Sequence, residues 1–95
     1  MTYYVYIIQT IDKKRPKSYV GYTNNLANRL KKHNSNKGAK STKGYKWSIV
    51  YKRRFFKKNY AMSYEYKLKN DRKKRLSIIK KYNDKKIKNS YDFTV

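Results

Sequence analysis

The chain has 95 residues, a size that fits one domain with a modest core. It carries 27 lysine and arginine residues against 5 acidic ones, a formal net charge of +22, with one histidine and no cysteine. Disulfides, thiolate catalysis and cysteine-based zinc sites are therefore excluded. No apolar run is long enough to cross a bilayer and no signal peptide is recognisable, so we expect a cytoplasmic protein without a membrane partner.

The charge favours a polyanionic partner, because self-repulsion of this size destabilises a compact state. DNA or RNA is the first candidate, and an anionic membrane surface is the weaker one. Aromatic residues, including 12 tyrosines, make up 17% of the chain, which argues for a folded domain rather than a disordered one. The composition thus indicates a folded, basic domain that binds nucleic acid.

The chain opens with two predicted strands. Residues 2–10 alternate as a strand with apolar or aromatic side chains on both faces, which indicates a central strand covered on both sides. A turn at residues 11–17 follows, and residues 18–23 form a second strand. Because this strand returns antiparallel, we expect Tyr6 and Tyr19 to lie in one neighbourhood.

A helix follows the second strand without a linker. Gly21 interrupts that strand, and a glycine in a strand often marks a close backbone approach or a bulge. The N-cap candidates of the helix are Thr23, Asn24 and Asn25. Arg29 and His33 lie one turn apart beside the apolar stripe of Leu26 and Leu30. Two interpretations stay open: a functional pair at the junction with the domain body, or a phosphate-facing arginine and a protonated histidine that favours the helix C-terminus.

A polar loop at residues 34–44 contains two glycines and three lysines. Flexible backbone N–H groups together with Lys40 and Lys43 suit phosphate oxygens, although an ordinary exposed loop has the same composition. The order and spacing of its glycine, lysine and hydroxyl residues are not those of a P-loop.

A third strand begins at Trp47, where Trp47, Ile49 and Tyr51 alternate with the residues between them. It ends in a basic and aromatic run, a pattern typical of surfaces that pair phosphates and stack bases. The same pattern also protects a strand edge with charge, and the two interpretations are compatible. The basic residues of this run are Lys52, Arg53 and Arg54.

A second helix begins near Asn59, which we expect to be its N-cap. Its inward stripe is formed by Ala61, Tyr64 and Leu68. Glu65 falls within this stripe and is the only glutamate of the chain. An unpaired carboxylate on a core-facing side is costly, so it needs a cationic partner, a metal ion or a shifted pKa. A structural ion pair with Arg29 and a metal-ligand role both remain open.

A third helix is predicted at residues 72–82. Its candidate caps are Asn70 and Asp71. Its expected packing residues are Leu76, Ile79 and Tyr82. Arg72 and Lys73 in its first turn are available to a phosphate backbone. Residues 83–95 are polar and rich in lysine, so we expect a frayed basic tail after a domain at residues 1–82.

In this order and at this spacing, the residues resemble the GIY-YIG nuclease domain over nearly the whole chain. The segments that carry the resemblance are Tyr4-Val5-Tyr6, Tyr19-Val20-Gly21, then Arg29, His33 and Glu65. The chain looks closest to the small stand-alone bacterial members, which are related to the N-terminal domain of the bacterial repair excinuclease. The segment from Gly38 to Thr42 also resembles a loop of that subgroup.

The resemblance implies an α/β (α+β) domain with a three-stranded antiparallel sheet flanked by helices. It also implies an endonuclease that hydrolyses DNA with Mg²⁺ or Mn²⁺, acting on double-stranded or branched DNA in repair, beside other repair proteins. Glu65 would be the ligand of a single metal ion, Tyr19 the general base, and Tyr6 the group that orients water or phosphate. Arg29 would contact the non-bridging oxygens, and His33 would hydrogen-bond the phosphate or shuttle a proton.

Two other functions remain open at this point. One is a catalytically inactive nucleic-acid-binding module, and the other is a basic protein associated with RNA or the ribosome. Simple binding has no use for a lone inward carboxylate, which repels phosphate, so Glu65 favours the nuclease.

Overall fold

The computed structural model describes the backbone of residues 1–11 and 13–94, and the side chains of residues 1–11 and 13–85. The elements in chain order are β1 (Tyr3–Thr10), β2 (Ser18–Thr23), α1 (Leu26–Asn34), β3 (Trp47–Phe55), α2 (Lys58–Asn70) and α3 (Arg72–Thr94). The strands form one antiparallel sheet in the order β2-β1-β3. The predicted three-stranded antiparallel sheet with flanking helices is confirmed.

β1 is central because its side chains are apolar in both directions. Val5 and Ile7 pack with buried residues of α2 and with apolar side chains of α3, and this side of the sheet is called the helix-pair face. Tyr6 and Ile8 pack with Trp47 and with the apolar stripe of α1, and this side is called the α1 face. All four β1 side chains are at most 1% exposed.

A β-bulge in β3 separates residues that the alternating pattern predicts on one face. Ile7 pairs with Tyr51 and Ile8 pairs with Ile49, so Val50 is an extra residue between two paired positions. Ile49 packs on the α1 face, whereas Val50 and Tyr51 pack on the helix-pair face. The prediction that Tyr51 shares a face with Ile49 is therefore wrong.

The helix starts differ in how they are capped. Asn25 caps α1, because its Oδ1 accepts the backbone N–H of Asn28 at 3.1 Å. Asp71 caps α3 through a bond from the backbone N–H of Lys74 at 3.0 Å. The N-cap of α2 is Lys57, which makes no side-chain capping bond. The expected cap at Asn59 is wrong, since that residue lies within the first turn of α2.

α3 packs on the helix-pair face through Ile78, Ile79 and Tyr82. Leu76 is 53% exposed, so the prediction that it packs is wrong. Arg75 accounts for the difference, because it shares the inward face and donates to the backbone carbonyl of Leu68 at 2.9 Å. No helix in the described part of the chain is both long and apolar enough to cross a membrane.

The backbone of α3 continues past its predicted end at residue 82 and reaches Thr94. The end of the helix predicted at residue 82 is therefore wrong, whereas the expected fraying of the tail stays a prediction. The side chains of residues 86–95 lie outside the described part, and the division into a domain at 1–82 and a basic tail at 83–95 stays a prediction.

Candidate active site

The two motif tyrosines meet on the α1 face. Tyr6 lies on β1 opposite Gly21 of β2, and its ring centroid is 6.5 Å from that of Tyr19. A Cβ atom on Gly21 would lie 2.5 Å from the Tyr6 hydroxyl oxygen. The glycine is therefore needed for Tyr6 to cross its neighbouring strand, as its position within the strand predicts.

α1 brings Arg29 and His33 to the Tyr6 hydroxyl. Arg29 Nε donates to the Tyr6 oxygen at 3.4 Å, and His33 Nε2 lies 2.8 Å from the same oxygen. The rings of Tyr19 and His33 are also in contact, with centroids 5.1 Å apart. The predicted neighbourhood of Tyr6 and Tyr19 with this pair is thus present on the α1 face.

Thr42 fixes where the histidine proton lies. The Thr42 hydroxyl donates to the backbone carbonyl of Ala39 at 2.8 Å, so its oxygen accepts from His33 Nδ1–H at 2.9 Å. With Nδ1 carrying the proton, neutral His33 accepts at Nε2, and the Tyr6 hydroxyl donates to it. This gives a proton order in which the Tyr6 hydroxyl donates to His33, His33 donates to the Thr42 hydroxyl, and that hydroxyl donates to the Ala39 carbonyl.

The loop closes on His33 because residue 38 is a glycine. A Cβ atom on Gly38 would contact the His33 ring at Nδ1 and would lie 3.0 Å from the His33 Cα. Both His33 and Thr42 are 0% exposed. The loop between α1 and β3 thus contains a 3-10 turn at Lys40–Thr42.

Burial sets the protonation states of this cluster. Burial raises the pKa of Tyr6 to about 12, although the hydrogen bond from Arg29 opposes the increase. Burial also lowers the pKa of His33, and the Arg29 charge lowers it further. Both groups are neutral at pH 7. The interpretation of His33 as a protonated residue at the helix C-terminus is therefore wrong.

Arg29 joins the buried cluster to solvent. Its hydrogen bond with Tyr6 raises its pKa, and a hydrogen bond with Tyr19 acts in the same direction. Its side chain also borders an open cleft of about 430 Å³ at the end of the sheet. The other residues of this cleft are Tyr3, Tyr22, Thr23, Asn24 and Lys58. The guanidinium is thus oriented by two phenols and reachable from outside.

Glu65 reaches the same region from α2. Its side chain is 16% exposed, and its carboxylate forms an ion pair with Lys69 Nζ at 3.0 Å. The Lys69 ammonium in turn lies 5.9 Å from the Tyr19 ring centroid. The Glu65 charge is also close enough to contribute to the raised pKa of Tyr6. Its ion-pair partner is Lys69 rather than Arg29, and it lies on the flank of the predicted stripe.

The predicted metal site rests on one carboxylate. Within the described residues, no group of three or more His, Asp and Glu side chains is placed to hold a metal ion. Mg²⁺ takes one or two protein carboxylates and fills its other positions with water and substrate phosphate, so a single glutamate fits this ion. The Glu65 side chain is 16% exposed, so a hydrated ion can reach its carboxylate.

Strand alternation divides the predicted basic run between the two faces of the sheet, and the bulge decides which residues face which side. Lys52 pairs with Tyr6 and Arg54 pairs with Tyr4, which places both cations on the α1 face. Arg53 lies on the helix-pair face, where its guanidinium stacks on aromatic rings. The other predicted phosphate contacts are all exposed, and they are Lys40, Lys43, Arg72 and Lys73.

Sequence reasoning missed Thr42 as a site residue. A threonine in a polar loop carries no signal of burial, and its partner His33 is nine positions away in the chain. The only indication was the likeness of the Gly38–Thr42 segment to a family loop, which assigns no role to the hydroxyl.

Comparisons with known proteins identify the family of this chain. The GIY-YIG catalytic domain matches residues 2–88. The chain is 43% identical over 68 residues to UPF0213 protein OB0043 of Oceanobacillus iheyensis, covering 70% of this chain and 76% of that protein. It is 44% identical over 81 residues to UPF0213 protein YsiG of Lactococcus lactis subsp. lactis, covering 82% of this chain and 75% of that protein.

A solution NMR structure of UPF0213 protein BH0048 from Bacillus halodurans is also similar. It shares 37% sequence identity with this chain over 84% of each, with a TM-score of 0.48. The family match spans both tyrosine motifs as well as Arg29, His33 and Glu65. The chain therefore belongs to the GIY-YIG nuclease family.

Proposed function

We propose that this protein is a divalent-metal-dependent DNA endonuclease that hydrolyses phosphodiester bonds. The observation that carries the proposal is the connected cluster of Tyr6, Tyr19, Arg29 and His33, with Glu65 beside it. Membership of a nuclease family supports the same reaction. A role in repairing DNA or in processing branched DNA belongs to the proposal.

Phosphodiester hydrolysis needs a deprotonated water, stabilisation of the charge that develops on phosphorus-bound oxygens, and help for the leaving oxygen. Arg29 suits the second requirement. Its planar guanidinium can bind two phosphate oxygens at once, and the cleft gives it access to a substrate. The hydrogen bond to Tyr6 holds its Nε end, and its terminal nitrogens keep donors for the phosphate besides the bond to Tyr19.

The two tyrosines are proposed to have different roles because their exposures differ. Tyr19 is partly exposed, so we assign it the general base, which takes a proton from the attacking water as a phenolate. Tyr6 is 1% exposed and neutral, and it acts as a positioning residue that holds Arg29.

His33 is proposed to act behind Tyr6 rather than against the substrate. Both of its ring nitrogens are already hydrogen-bonded, to Tyr6 and to Thr42, and the ring is buried. The expected direct bond from His33 to phosphate is therefore replaced by a positioning role. His33 keeps the Tyr6 proton directed away from Arg29, so that the Tyr6 oxygen lone pairs face the guanidinium.

Glu65 is the residue proposed to hold Mg²⁺ or Mn²⁺. When bound, such an ion supplies Lewis-acid stabilisation of the phosphate and of the leaving oxygen. Lys69 holds the Glu65 carboxylate in place at 3.0 Å, and its exposed side chain is free to move to the phosphate when a cation arrives. Lys52 and Arg54 on the same sheet face extend the positive surface for the DNA backbone.

The test is nicking of supercoiled plasmid with Mg²⁺ or Mn²⁺ by the wild type and by Glu65→Gln. The matched control is Asp84→Asn, which removes one exposed carboxylate on α3 and changes net charge equally. We expect Glu65→Gln to lower the nicking rate on the order of a hundredfold or more, with Asp84→Asn near wild type. Equal nicking by both variants would overturn the assignment of Glu65.

Binding measurements made beside the nicking assay separate the other two functions. Tight DNA binding without nicking by the wild type would indicate a catalytically inactive binding module. Preference for folded RNA over DNA in competition binding would indicate an RNA-associated protein. Both binding measurements are made in EDTA, so that cleavage does not change the ligand.

A further inference from the structure

A second cluster of polar and basic side chains lies on the helix-pair face, away from the candidate active site. Its centre is a pair of tyrosines, Tyr51 of β3 and Tyr64 of α2, whose hydroxyl oxygens are 2.9 Å apart. Both pack against the buried core of that face. Their hydroxyl groups are only partly buried, so a solute can reach them.

Two cations converge on Tyr64 from different elements. The Arg53 guanidinium carbon lies 4.8 Å from the Tyr64 ring centroid and 5.2 Å from that of Phe55. Lys74 Nζ, from the first turn of α3, lies 5.0 Å from the Tyr64 ring centroid. Stacking on aromatic faces restricts the guanidinium, so fewer rotamers are lost when it binds a ligand.

The cluster has two positive charges and no acidic partner among the described side chains. Among the described residues, the carboxylate of Glu65 forms its ion pair with Lys69, on another side of α2. Asp71, the nearest acid in sequence to Lys74, accepts the backbone N–H of that residue as a helix cap. Two neighbouring cations repel each other, and a bound anion removes that repulsion.

The pKa of the Tyr64 hydroxyl reflects the same positive charges. Burial raises its pKa, but hydrogen bonds from Tyr51, Arg53 and Lys74 more than offset this and lower the pKa. Two positive charges thus act on this tyrosine. A site with several donors and two positive charges has the chemistry of an oxyanion site.

We propose that Arg53, Tyr64 and Lys74 form a second phosphate-binding site, which takes a phosphodiester group of nucleic acid. Arg53 supplies a planar pair of donors, Lys74 a point charge and Tyr64 a hydroxyl donor. That the phosphate belongs to nucleic acid rests on the proposed function; the anion site itself rests on the cluster.

The site lies on the opposite side of the sheet from Tyr6, whose hydroxyl accepts the Arg29 hydrogen bond. Packed layers on a sheet are about 10 Å apart, so one straight backbone segment does not contact both faces. The phosphodiester therefore comes either from the same duplex bent around the domain or from a second duplex arm. Either source supplies the same chemical group.

The experiment compares the double variant Arg53→Gln/Lys74→Gln with the control Lys14→Gln/Lys80→Gln. Both lower the formal net charge of +22 by two, and the control lysines are exposed and lie outside the cluster. Binding to a short linear duplex and to a four-way junction with the same arm sequences is measured by fluorescence anisotropy in EDTA across a salt series.

We expect the cluster variant to bind about eightfold more weakly per lost phosphate contact at 0.1 M salt, with a salt slope smaller by about 0.9 per contact. Weaker binding to both ligands identifies a bent duplex, and weaker binding to the junction alone identifies a second arm. Binding indistinguishable from the control variant, on both ligands and at every salt concentration, would overturn the proposal.

A second variant guards against misfolding. Tyr64→Phe keeps the ring and removes the hydroxyl, and we expect a smaller loss of affinity in the same direction. Circular dichroism checks that each variant is folded. Plasmid nicking is measured separately, so an inactive wild type with a cluster-dependent salt slope would overturn the endonuclease and leave the second site standing.

Discussion

Replacing Thr42 by valine tests whether the buried hydroxyl fixes the histidine proton. Valine has nearly the shape of threonine, so the substitution removes the hydroxyl without opening a cavity. The Thr42 hydroxyl makes two bonds, from His33 Nδ1–H at 2.9 Å and to the Ala39 carbonyl at 2.8 Å. The Ala39 carbonyl keeps the backbone N–H of residue 42 at 3.0 Å, so the group left without a partner is His33 Nδ1–H.

The magnitude follows from that unpaired donor. A buried donor without a partner costs about 1–3 kcal/mol, and His33 is 0% exposed, so no water from bulk solvent replaces the hydroxyl. We expect Thr42→Val to lower the free energy of unfolding by that amount. We also expect the Nε2–H tautomer of His33 to gain population, because the acceptor that holds the proton on Nδ1 is gone.

Two measurements check these expectations. Urea unfolding gives the stability, and the ¹⁵N shifts of the imidazole nitrogens give the tautomer by NMR. The chain has one histidine, so the imidazole signals need no assignment by mutation. Thr42→Ser is the matched control, since it keeps the hydroxyl and removes one methyl, at a cost of about 1 kcal/mol.

The outcome also bears on activity. Thr42→Val is expected to slow plasmid nicking by roughly tenfold to a hundredfold, because Tyr6 loses its fixed acceptor and Arg29 its fixed orientation. A wild-type histidine in the Nε2–H form would refute the proton order. Equal stability together with equal tautomer populations in Thr42→Val and Thr42→Ser would also refute it.

Four further predictions concern the same cluster. Stability should fall as pH drops below 6.5, because unfolded His33 binds a proton before the folded form, whose pKa is lowered. Stability should also fall by up to about 3 kcal/mol as pH rises from 10 towards 12, because the folded pKa of Tyr6 is about 12. Urea unfolding at a series of pH values measures the acid and the alkaline loss. Gly21→Ala should cost about 1–3 kcal/mol, since its Cβ meets the Tyr6 hydroxyl, whereas Gly44→Asn at φ 86° should cost less. Arg29→Lys should lower the nicking rate at least about tenfold at equal DNA binding, because lysine lacks the planar pair of donors.

Each of these has a contrary result. Constant stability from pH 10 to 12 would mean that the fold does not raise the pKa of Tyr6. Constant stability from pH 7 to 5 would mean that His33 is not held neutral by the fold. A Gly21→Ala variant as stable as the wild type would mean that Tyr6 does not pass over that position. Full nicking by Arg29→Lys would mean that charge alone, without bidentate geometry, is sufficient.

Local patterns predicted most of the sheet and the start of α1. The alternation of residues 2–10 and 18–23 defined β1 and β2, and the cap candidates included Asn25, which is the residue that caps α1. These features depend on neighbours within a few positions, where side-chain period and capping chemistry act directly. The meeting of Tyr6 with Tyr19 followed from the same antiparallel return.

Features that depend on distant partners were not predictable from the same patterns. The bulge at Val50 reflects how β3 pairs with β1, and nothing in the residues around it breaks the alternation. The inward position of Arg75 depends on backbone carbonyls at the end of α2. Arg29 was one possible partner of Glu65, but a lysine one turn away on the same helix takes that place.

The extra residue at Val50 has a consequence for how this domain distributes charge. Had β3 paired without it, every later side chain would have been turned over, with Lys52 and Arg54 facing α2 and α3 and Arg53 facing the tyrosine motifs. The inserted position thus decides that the face of the tyrosine motifs receives two of these three basic residues and the helix-pair face receives one. Among related chains, a change in β3 length at this point is therefore expected to accompany a change in which of these positions is basic.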